Sequence, residues 1–325
     1  MTARAATAVP NVSVAMVTYN HEKFIAKAVE SVLMQETTFS IELVIGEDCS
    51  TDTTREIVRG YAAARPDIVR PLLHERNLGG HQNSGAVLAA CRGEYVACLE
   101  GDDYWTDSRK LQKQVDFLVR HPECAICFHR TRKVHATTLN VMDELPPRPF
   151  RKQFQTVEAL FAGGAFASTC SAVFRRCCLP PTMEKYHRFP AGDWPLFIEI
   201  SLHGKIGYLD DCMAAYRFHE GGVWSRMSEY KRLEAMAEFM EFMGGELTGR
   251  LAKMASRSGV KLRRAGRRRR LLDELEEHYS QGATGTFWRL VLKALVTDPG
   301  LAWHRPYLGR LADASGVNRL RAKRL

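Results

Sequence analysis

The chain lacks any run of about 18 or more uninterrupted apolar residues, the length that a membrane-spanning helix needs. Its first ten residues are rich in alanine and contain no hydrophobic stretch typical of a secretory signal. No internal repeat is visible. At 325 residues, with 45% hydrophobic and 26% charged residues, the composition is that of an ordinary folded protein. These features predict a cytoplasmic protein with one large core, or one core plus an appendage.

The cysteines show no pattern of a disulfide framework or a zinc site. Nine are present, an odd number, and the pair Cys124 and Cys127 is not followed by a second pair at ligand spacing. Cys98, Cys127 and Cys170 stand inside apolar runs. We therefore predict reduced thiols that pack in the core of a cytoplasmic protein.

Positive charge is concentrated in one segment. The stretch from Arg250 to Arg270 contains ten lysines or arginines and no acidic residue, whereas the whole chain carries a net charge of +9. The remainder of the chain is therefore almost neutral. The basic segment, and not the general surface, determines which anionic partners are plausible.

Apolar runs typical of strands alternate with amphipathic helical segments through the first 120 residues. Four repeats of this alternation predict a mostly parallel, doubly wound α/β sheet. The predicted strands are 12–18, 41–46, 68–73 and 95–99, and the helices are 22–35, 53–64, the segment from 80 to about 91, and 108–120. Beyond residue 122 we predict strands at 125–131, 168–174, 206–209 and 213–218, helices at 155–161 and 195–203, and only helix from Glu229 onward.

Three carboxylates directly follow the fourth predicted strand. Glu100, Asp102 and Asp103 fall within four residues, and an acidic cluster at the end of a buried strand is costly without a positive partner. A divalent cation holding a diphosphate would supply that partner, because Mg²⁺ and Mn²⁺ prefer carboxylate and phosphate oxygens. A solvated acidic turn that caps the next helix is the alternative.

The loops after all four strands open at one edge of a parallel sheet, which is where such sheets bind ligands. That edge combines an aromatic ring, hydrogen-bonding side chains, two acidic clusters and a glycine turn. An aromatic face stacks on a nucleobase, a carboxylate accepts a base N–H, and glycine permits close backbone approach. The pattern predicts a nucleotide site formed by Thr18, Tyr19, Asn20, Glu47, Asp48, Asn77, Gly79, Glu100 and Gly101.

Several of these segments, in this order, resemble the signatures of glycosyltransferase family 2. They are residues 14–20, 46–52, 77–79, 100–105, 110–118 and 216–225. The resemblance implies a GT-A fold, which is α/β with a Rossmann-like, mostly parallel central sheet and helices on both faces. It covers residues 11–225, with a nucleotide-binding half (11–122) and an acceptor-binding half (123–225). A tail (1–10) precedes it, and a helical, basic C-terminal extension (226–325) follows.

Site roles follow from the resemblance. Thr18 and Tyr19 would flank the nucleobase, with Tyr19 stacked on it, and Asp48 would accept from uracil or thymine. Asp102 stands at the family's metal-binding motif and would bind Mg²⁺ or Mn²⁺. Glu100 departs from the aspartate usual at the first position, so it would contact ribose, metal or neither.

The same resemblance points to two later residues. Asp193 stands where the family has its general base, although it also suits an N-cap for the following helix. His219 stands where some members have a further metal or diphosphate contact. The Q-x-x-R-W signature of processive synthases is absent. We therefore expect a metal-dependent, inverting, single-addition enzyme that uses a UDP- or dTDP-sugar and a glycan or lipid-linked acceptor.

Two other functions remain as alternatives. A sugar-nucleotide nucleotidyltransferase would use a similar sheet edge, but the Gly-rich basic loop expected after its first strand is absent. A nucleic-acid-binding protein could use residues 250–270, although the segment contains no recognisable nucleic-acid-binding module, which makes nucleic acid the weaker partner.

The basic segment is followed by apolar residues that include Phe287, Trp288 and Leu295, with Arg289 and Lys293 between them. This combination predicts contact of residues 250–296 with an anionic membrane surface, at the inner face of the cell membrane. A solvated charged helix followed by a packing helix is the alternative.

Overall fold

The computed structural model describes residues 11–146, 152–163, 167–190, 192–280 and 291. The predicted tail 1–10 lies outside the described residues, as do Phe287, Trp288, Arg289, Lys293 and Leu295. The chain divides into two compact units, one ending at Ser225 and the other beginning at Arg226.

Four strand–helix units form the first part of the chain, as predicted. The elements are β1 (Val12–Thr18), α1 (Ile25–Leu33), β2 (Ile41–Glu47), α2 (Thr54–Ala64), β3 (Val69–Leu73), α3 (Gly80–Ala90) and β4 (Tyr95–Glu100). Strand β1 pairs in parallel with β2 and β4, and β2 pairs in parallel with β3. The central strands β1, β2 and β4 are buried almost throughout, which is why they read as continuous apolar runs.

The sheet continues with elements that the first half of the chain does not supply. They are β5 (Tyr104–Trp105), α4 (Lys110–Arg120), β6 (Cys124–His135), β7 (Val141–Leu145), β8 (Phe154–Gln155), α5 (Val157–Gly163), β9 (Val173–Arg175), α6 (Asp193–Ser201), β10 (Lys205–Phe218) and α7 (Val223–Arg226). The strand order is β3-β2-β1-β4-β9-β6-β10-β5, with β7 on β6 and β8 on β10. Strand β9 is antiparallel to both neighbours, so β4, β6 and β10 all run in one direction. The predicted α/β fold with a mostly parallel central sheet is confirmed.

Three local predictions in this second part were wrong, and one strand was missed. The two strands predicted at 206–209 and 213–218 are one strand, β10, which follows β6 in parallel and absorbs the polar residues between them in register shifts. The strand predicted at 168–174 begins as a 3-10 turn at Thr169–Ser171 before β9. The helix predicted from residue 155 begins at Val157, because residues 154–155 pair with β10. Strand β7 was not predicted, because its side chains are largely exposed.

The thiols pack as predicted. Cys98, Cys124, Cys127 and Cys170 are buried, and none of the nine cysteines, all within the described residues, forms a disulfide. Burial raises the pKa of the Cys127 thiol to about 12, with smaller opposing effects from Gln114 and Lys110. These thiols therefore remain protonated and act as small core side chains.

The second unit contains α8 (Glu229–Glu246) and α9 (Gly249–Ser280), which pack on each other. Ala237, Met240 and Met243 of α8 are buried. The helices approach closely at Gly259, where a Cβ atom would lie 2.7 Å from Cγ of Glu241. Among the described helices, none is both long and apolar enough to cross a membrane.

Candidate functional site

The carboxyl ends of β1, β2 and β4 form one edge of the sheet. Register places Thr18 beside Glu47, and Val17 beside Glu100. Thr18 is buried, whereas Tyr19, one residue beyond the strand, is 41% exposed. The structure therefore brings the predicted residues of three loops to one place and leaves the ring of Tyr19 accessible there.

Asn20 connects the first loop to the second. Its φ of 55° lies in the left-handed region, where asparagine is tolerated better than most residues. The side-chain oxygen of Asn20 accepts from the backbone N–H of Thr51 (2.8 Å), and the backbone N–H of Asn20 donates to Oγ of Ser50 (3.0 Å). The predicted site residue Asn20 thus holds the loops after β1 and β2 together.

The two acidic residues at the end of β2, Glu47 and Asp48, have different surroundings. Glu47 is fully buried, accepts from the N–H of Ser50 (2.7 Å) and forms an ion pair with Arg55. Asp48 accepts from the backbone N–H groups of Leu78 (2.7 Å) and Gly79 (2.9 Å). Asp48 therefore holds the glycine turn in place. Glu47 instead stabilises the loop after β2 through its contacts with Ser50 and Arg55. Direct nucleotide contact by Glu47 remains a prediction.

Asn77 and Gly79 complete this part of the edge. The side-chain amide of Asn77 donates to the carbonyl of Asp48 (3.1 Å), and its oxygen accepts from the N–H of Gly79 (3.0 Å). Gly79 has a φ of 83°, which favours glycine, and it directly precedes helix α3. The glycine turn predicted from the sequence is present and is hydrogen-bonded to Asp48.

Asp103 of the acidic cluster is buried, and Glu100 and Asp102 are partly buried. Burial raises the pKa of Glu100 well above its ordinary value, and the charges of Asp102, Asp103 and Asp193 raise it further. Burial and the charge of Asp102 likewise raise the pKa of Asp103. Like-charged carboxylates in a low-dielectric site disfavour ionisation until a cation joins them. This environment favours the metal interpretation over a solvated turn.

Asp102 is the member of the cluster with histidine partners. Its Oδ2 lies 3.0 Å from Nε2 of His219 and 3.8 Å from Nε2 of His21. Burial alone would raise the pKa of Asp102, but the hydrogen bond with His219 and the charges of both histidines lower it overall. Asp102 is consequently the carboxylate of the cluster that favours ionisation.

Sequence reasoning missed Arg217 and His21. Arg217 is buried, donates to the carbonyl of Asp102 (2.6 Å) and to Oδ1 of Asp103 through its backbone N–H (2.8 Å). Its guanidinium lies 4.3 Å from the ring centroid of Tyr104. Arg217 is two residues before His219 in the 216–225 segment already singled out, which is a signal that could have identified it. His21 follows the Tyr19–Asn20 pair directly, a similar signal.

Asp193 is the first residue of α6. Its Oδ1 accepts from the N–H of Trp194 (2.8 Å) and its Oδ2 accepts from Oγ1 of Thr169 (2.9 Å). Its charge raises the pKa of Glu100, so the structure brings Asp193 within electrostatic reach of the acidic cluster. The N-cap position of α6 is occupied by Gly192, so Asp193 is not the N-cap that the sequence also suggested. Its two hydrogen bonds leave further lone pairs on the carboxylate to accept a proton.

The donor set fits a hard divalent cation only in part. Within the described residues, no three histidine, cysteine, aspartate or glutamate side chains form a ready-made metal cage. Asp102 and His219 supply one carboxylate and one imidazole, and Glu100 and Asp103 add uncompensated negative charge. Such a set suits Mg²⁺ or Mn²⁺ that takes its remaining ligands from a phosphate-bearing ligand and water.

Comparisons with known proteins identify the family of the chain. The family model described as glycosyl transferase family 2 matches residues 13–179. An uncharacterised protein of Mycobacterium tuberculosis is 41% identical over 216 residues, which is 65% of this chain and 60% of that relative. The matched region thus spans less than two thirds of the relative's length.

Solved structures share the fold. TarS of S. aureus with UDP-GlcNAc superposes with a TM-score of 0.56 at 20% identity, covering 94% of this chain and 81% of that one. A mannosyltransferase from Pyrobaculum calidifontis with GDP-Man and Mn²⁺ gives a TM-score of 0.58 at 16% identity, covering 94% and 86%. The family match covers half of the chain, including β1 to β4, the glycine turn and the acidic cluster, and so the chain belongs to glycosyl transferase family 2.

Proposed function

We propose that this protein transfers a glycosyl group from a nucleoside-diphosphate sugar to an acceptor hydroxyl, with inversion at the anomeric carbon. The observation that carries the proposal is the convergence of Glu100, Asp102, Asp103 and Asp193 at the sheet edge that also carries the loops after β1 and β2. The mutual repulsion of these carboxylates favours binding of a divalent cation among them. The diphosphate of the donor would then bind to that cation and serve as the leaving group.

The donor's base would lie at the loops after β1 and β2. Tyr19 offers an exposed ring for stacking, and Thr18, Asn20, Asn77, Gly79 and Gly101 line the same edge. Each oxygen of Asp48 keeps a second lone pair after binding the glycine turn, so it can still accept a base N–H. A carboxylate acceptor suits the N3–H of uracil or thymine, which supports a UDP- or dTDP-sugar.

Asp193 would act as the general base. It removes the proton of the acceptor hydroxyl while that oxygen forms a bond to the anomeric carbon. On the opposite side, the bond from the anomeric carbon to the diphosphate oxygen breaks, and the nucleoside diphosphate leaves. The hydrogen bond from Thr169 (2.9 Å) orients the carboxylate for this step.

Asp102 and His219 would hold a divalent metal, Mg²⁺ or Mn²⁺, with Glu100 as a further candidate. When bound, the metal neutralises charge that develops on the leaving diphosphate. Arg217 supports the same region by holding the backbone of Asp102 and the side chain of Asp103. The Mn²⁺ in the Pyrobaculum mannosyltransferase structure supports metal use by this fold.

The transfer is a single addition to a glycan or lipid-linked acceptor. The absence of the processive Q-x-x-R-W signature supports this proposal. The experiment is a thermal-shift panel of UDP-, dTDP- and GDP-sugars with and without Mn²⁺, followed by measurement of released nucleoside diphosphate. We expect stabilisation by a uridine or thymidine donor only with metal. A panel without any metal-dependent donor would contradict the proposal.

A membrane surface at the inner face of the cell membrane is the proposed partner of the second unit. Lys253, Arg257, Lys261 and Arg264 recur every three or four residues along α9, are exposed, and make no ion pair within the described residues. Val260, among them, is 60% exposed. By contrast, Arg263 pairs with Glu241 of α8. An unpaired cationic helix face is complementary to anionic lipid.

The test is flotation of the full chain with vesicles that contain or lack anionic phospholipid. We expect the wild-type chain to float with anionic vesicles and the fourfold variant K253Q/R257Q/K261Q/R264Q to remain in the soluble fraction. A matched control, K23Q/R59Q/R76Q/R109Q, removes four exposed charges from the first unit and should float normally. Equal flotation of the two variants would contradict the proposal.

A further inference from the structure

His81 lies between the glycine turn and the segment that carries Asp193. It is the second residue of α3, two positions after Gly79. Its Nε2 lies 2.6 Å from the carbonyl oxygen of Phe189, 108 residues further along the chain. A carbonyl only accepts hydrogen bonds, so Nε2 carries the proton and donates it.

The other side of the ring faces Gly192. A Cβ atom added at Gly192 would lie 2.9 Å from Nδ1 of His81, a distance at which one of the two must shift. The ring also lies 5.5 Å from that of His187, centroid to centroid. The imidazole therefore contacts the segment before Asp193 at three points, Phe189, His187 and Gly192.

The same helix end is bound to the nucleotide side of the edge. Asp48 accepts from the N–H groups of Leu78 and Gly79, which directly precede α3. A continuous path of short contacts thus leads from Asp48 through the glycine turn and His81 to Phe189 and Gly192. Asp193 is the next residue, and its charge influences the pKa of His81.

We propose that His81 is a positioning residue that couples occupation of the nucleotide site to the placement of the Asp193 carboxylate. The inference rests on the proposed function, in which the base binds beside Asp48 and Asp193 is the general base. Donor binding orders the glycine turn, and the hydrogen bond from His81 transmits that order to residues 189–193. His81 has no direct role in the chemistry.

The first experiment measures this coupling without transfer. Backbone hydrogen exchange is followed for the full chain with and without UDP and Mn²⁺. In the wild type, we expect the ligand to slow exchange both at residues 77–80 and at the amides between Phe189 and Trp194. In H81A, we expect protection at 77–80 to remain and protection at 189–194 to disappear. Equal protection of 189–194 in H81A, or none in the wild type, would overturn the inference.

Conservative variants separate coupling from simple packing. The amide nitrogen of glutamine can reach the position of Nε2, whereas that of asparagine corresponds to Nδ1. We therefore expect H81Q to keep most of the wild-type kcat, and H81N and H81A to lose about 10- to 100-fold, because misplacement by about 1 Å can cost that much. The KM for the donor should remain unchanged in all three.

A second test uses Gly192. G192A pushes a methyl group against the His81 ring and should lower kcat in the wild-type background. In the H81A background the same substitution should cost much less, because the clash is gone. Full additivity of the two effects on kcat would overturn the inference.

Loss of transfer in D193N together with normal H81A kinetics would reject the role of His81 and leave the proposed function intact. No transfer by the wild type with any donor would reject the proposed function, and the exchange experiment would still decide the coupling.

Discussion

His219 and Asp102, 117 residues apart, meet through a 3.0 Å contact between Nε2 and Oδ2. The contact joins the end of β10 to the loop after β4, so the acidic cluster is completed by a residue from the second half of the sheet. It also makes Asp102 the one carboxylate of the cluster whose pKa is lowered, while those of Glu100 and Asp103 are raised. Because of this difference in pKa, Asp102 favours the ionised form, whereas Glu100 and Asp103 favour the protonated form.

The first prediction concerns metal affinity. D102N removes the charged ligand and should weaken Mn²⁺ binding in the presence of UDP by at least about 10-fold, and H219A should weaken it by a similar or smaller factor. Isothermal titration with Mn²⁺ measures both. The control D116N alters an exposed aspartate on α4 and should bind Mn²⁺ as the wild type does. Unchanged affinity in D102N would refute the assignment of Asp102 as a ligand.

The second prediction concerns the general base. D193N keeps an oxygen that can accept from the N–H of Trp194 but removes the proton-accepting capacity of the carboxylate, so transfer should fall by about 10²-fold or more while UDP affinity stays nearly constant. Product formation and UDP titration are measured on the same preparation. T169A removes only the hydrogen bond to Oδ2 and should cause a smaller loss of kcat. Near-normal turnover in D193N would show that another group is the base.

The third prediction concerns the close approach of two loops. A Cβ atom at Gly101 would lie 2.6 Å from Oγ1 of Thr18 and 3.0 Å from Nδ1 of His21, so G101A must displace the edge. We expect UDP affinity to fall by about 10-fold or more, since rigid cores and loops respond to small volume changes. The matched control is G60A in α2, where the added methyl group meets nothing within 4 Å. G60A should bind UDP normally and be slightly more stable. Unaltered UDP binding by G101A would contradict the predicted proximity.

The fourth prediction concerns Lys110, which is fully buried with Nζ 4.1 Å from the ring centroid of Trp105. Burial lowers its pKa from 10.5 to about 7, and the neighbouring Cys170, Cys127 and Cys98 oppose that shift. Between these two values the unfolded chain holds one proton more than the folded chain. The free energy of unfolding should therefore rise with pH from about 7 to 10, by up to about 1.4 kcal/mol per pH unit from this group.

K110M removes the titrating group, so its stability should depend less steeply on pH across this window. At pH 7 its free energy of unfolding should equal or exceed that of the wild type, because an apolar side chain of similar volume avoids burying a charge. Urea unfolding at pH 7 and pH 9 measures both effects. The control K23M changes an exposed lysine and should keep the wild-type pH dependence. Identical slopes for K110M and the wild type would contradict the lowered pKa.

Local periodicity predicted the first half of the chain closely. Strand β1 has the predicted bounds, Val12–Thr18, and α2 differs from its predicted span by one residue. These elements are recognisable because apolar residues recur with a period of about 2 in strands and about 3.6 in helices, a pattern that neighbouring residues reveal. The rule that βα loops share one edge then predicted that Thr18, Asp48, Gly79 and Glu100 lie close together.

Strand pairings and side-chain contacts between residues distant along the chain could not be predicted from local periodicity. The continuity of β10 across Asp210 and Asp211 depends on its parallel neighbour β6, and the antiparallel strand β9 enters the sheet between β4 and β6. The sequence of either strand alone carries no signal for such pairing. The same limit explains why Arg217 and His21 were missed as neighbours of Asp102.

The sequence by itself determined the strand–helix alternation, the order of the site segments and the concentration of positive charge in residues 250–270. Only the tertiary structure decided that Asp102 binds His219, that Glu47 pairs with Arg55, and that His81 contacts the carbonyl of Phe189. The physical reason is that alternation and charge are properties of neighbouring residues, whereas these contacts depend on how the complete sheet brings remote loops to one edge.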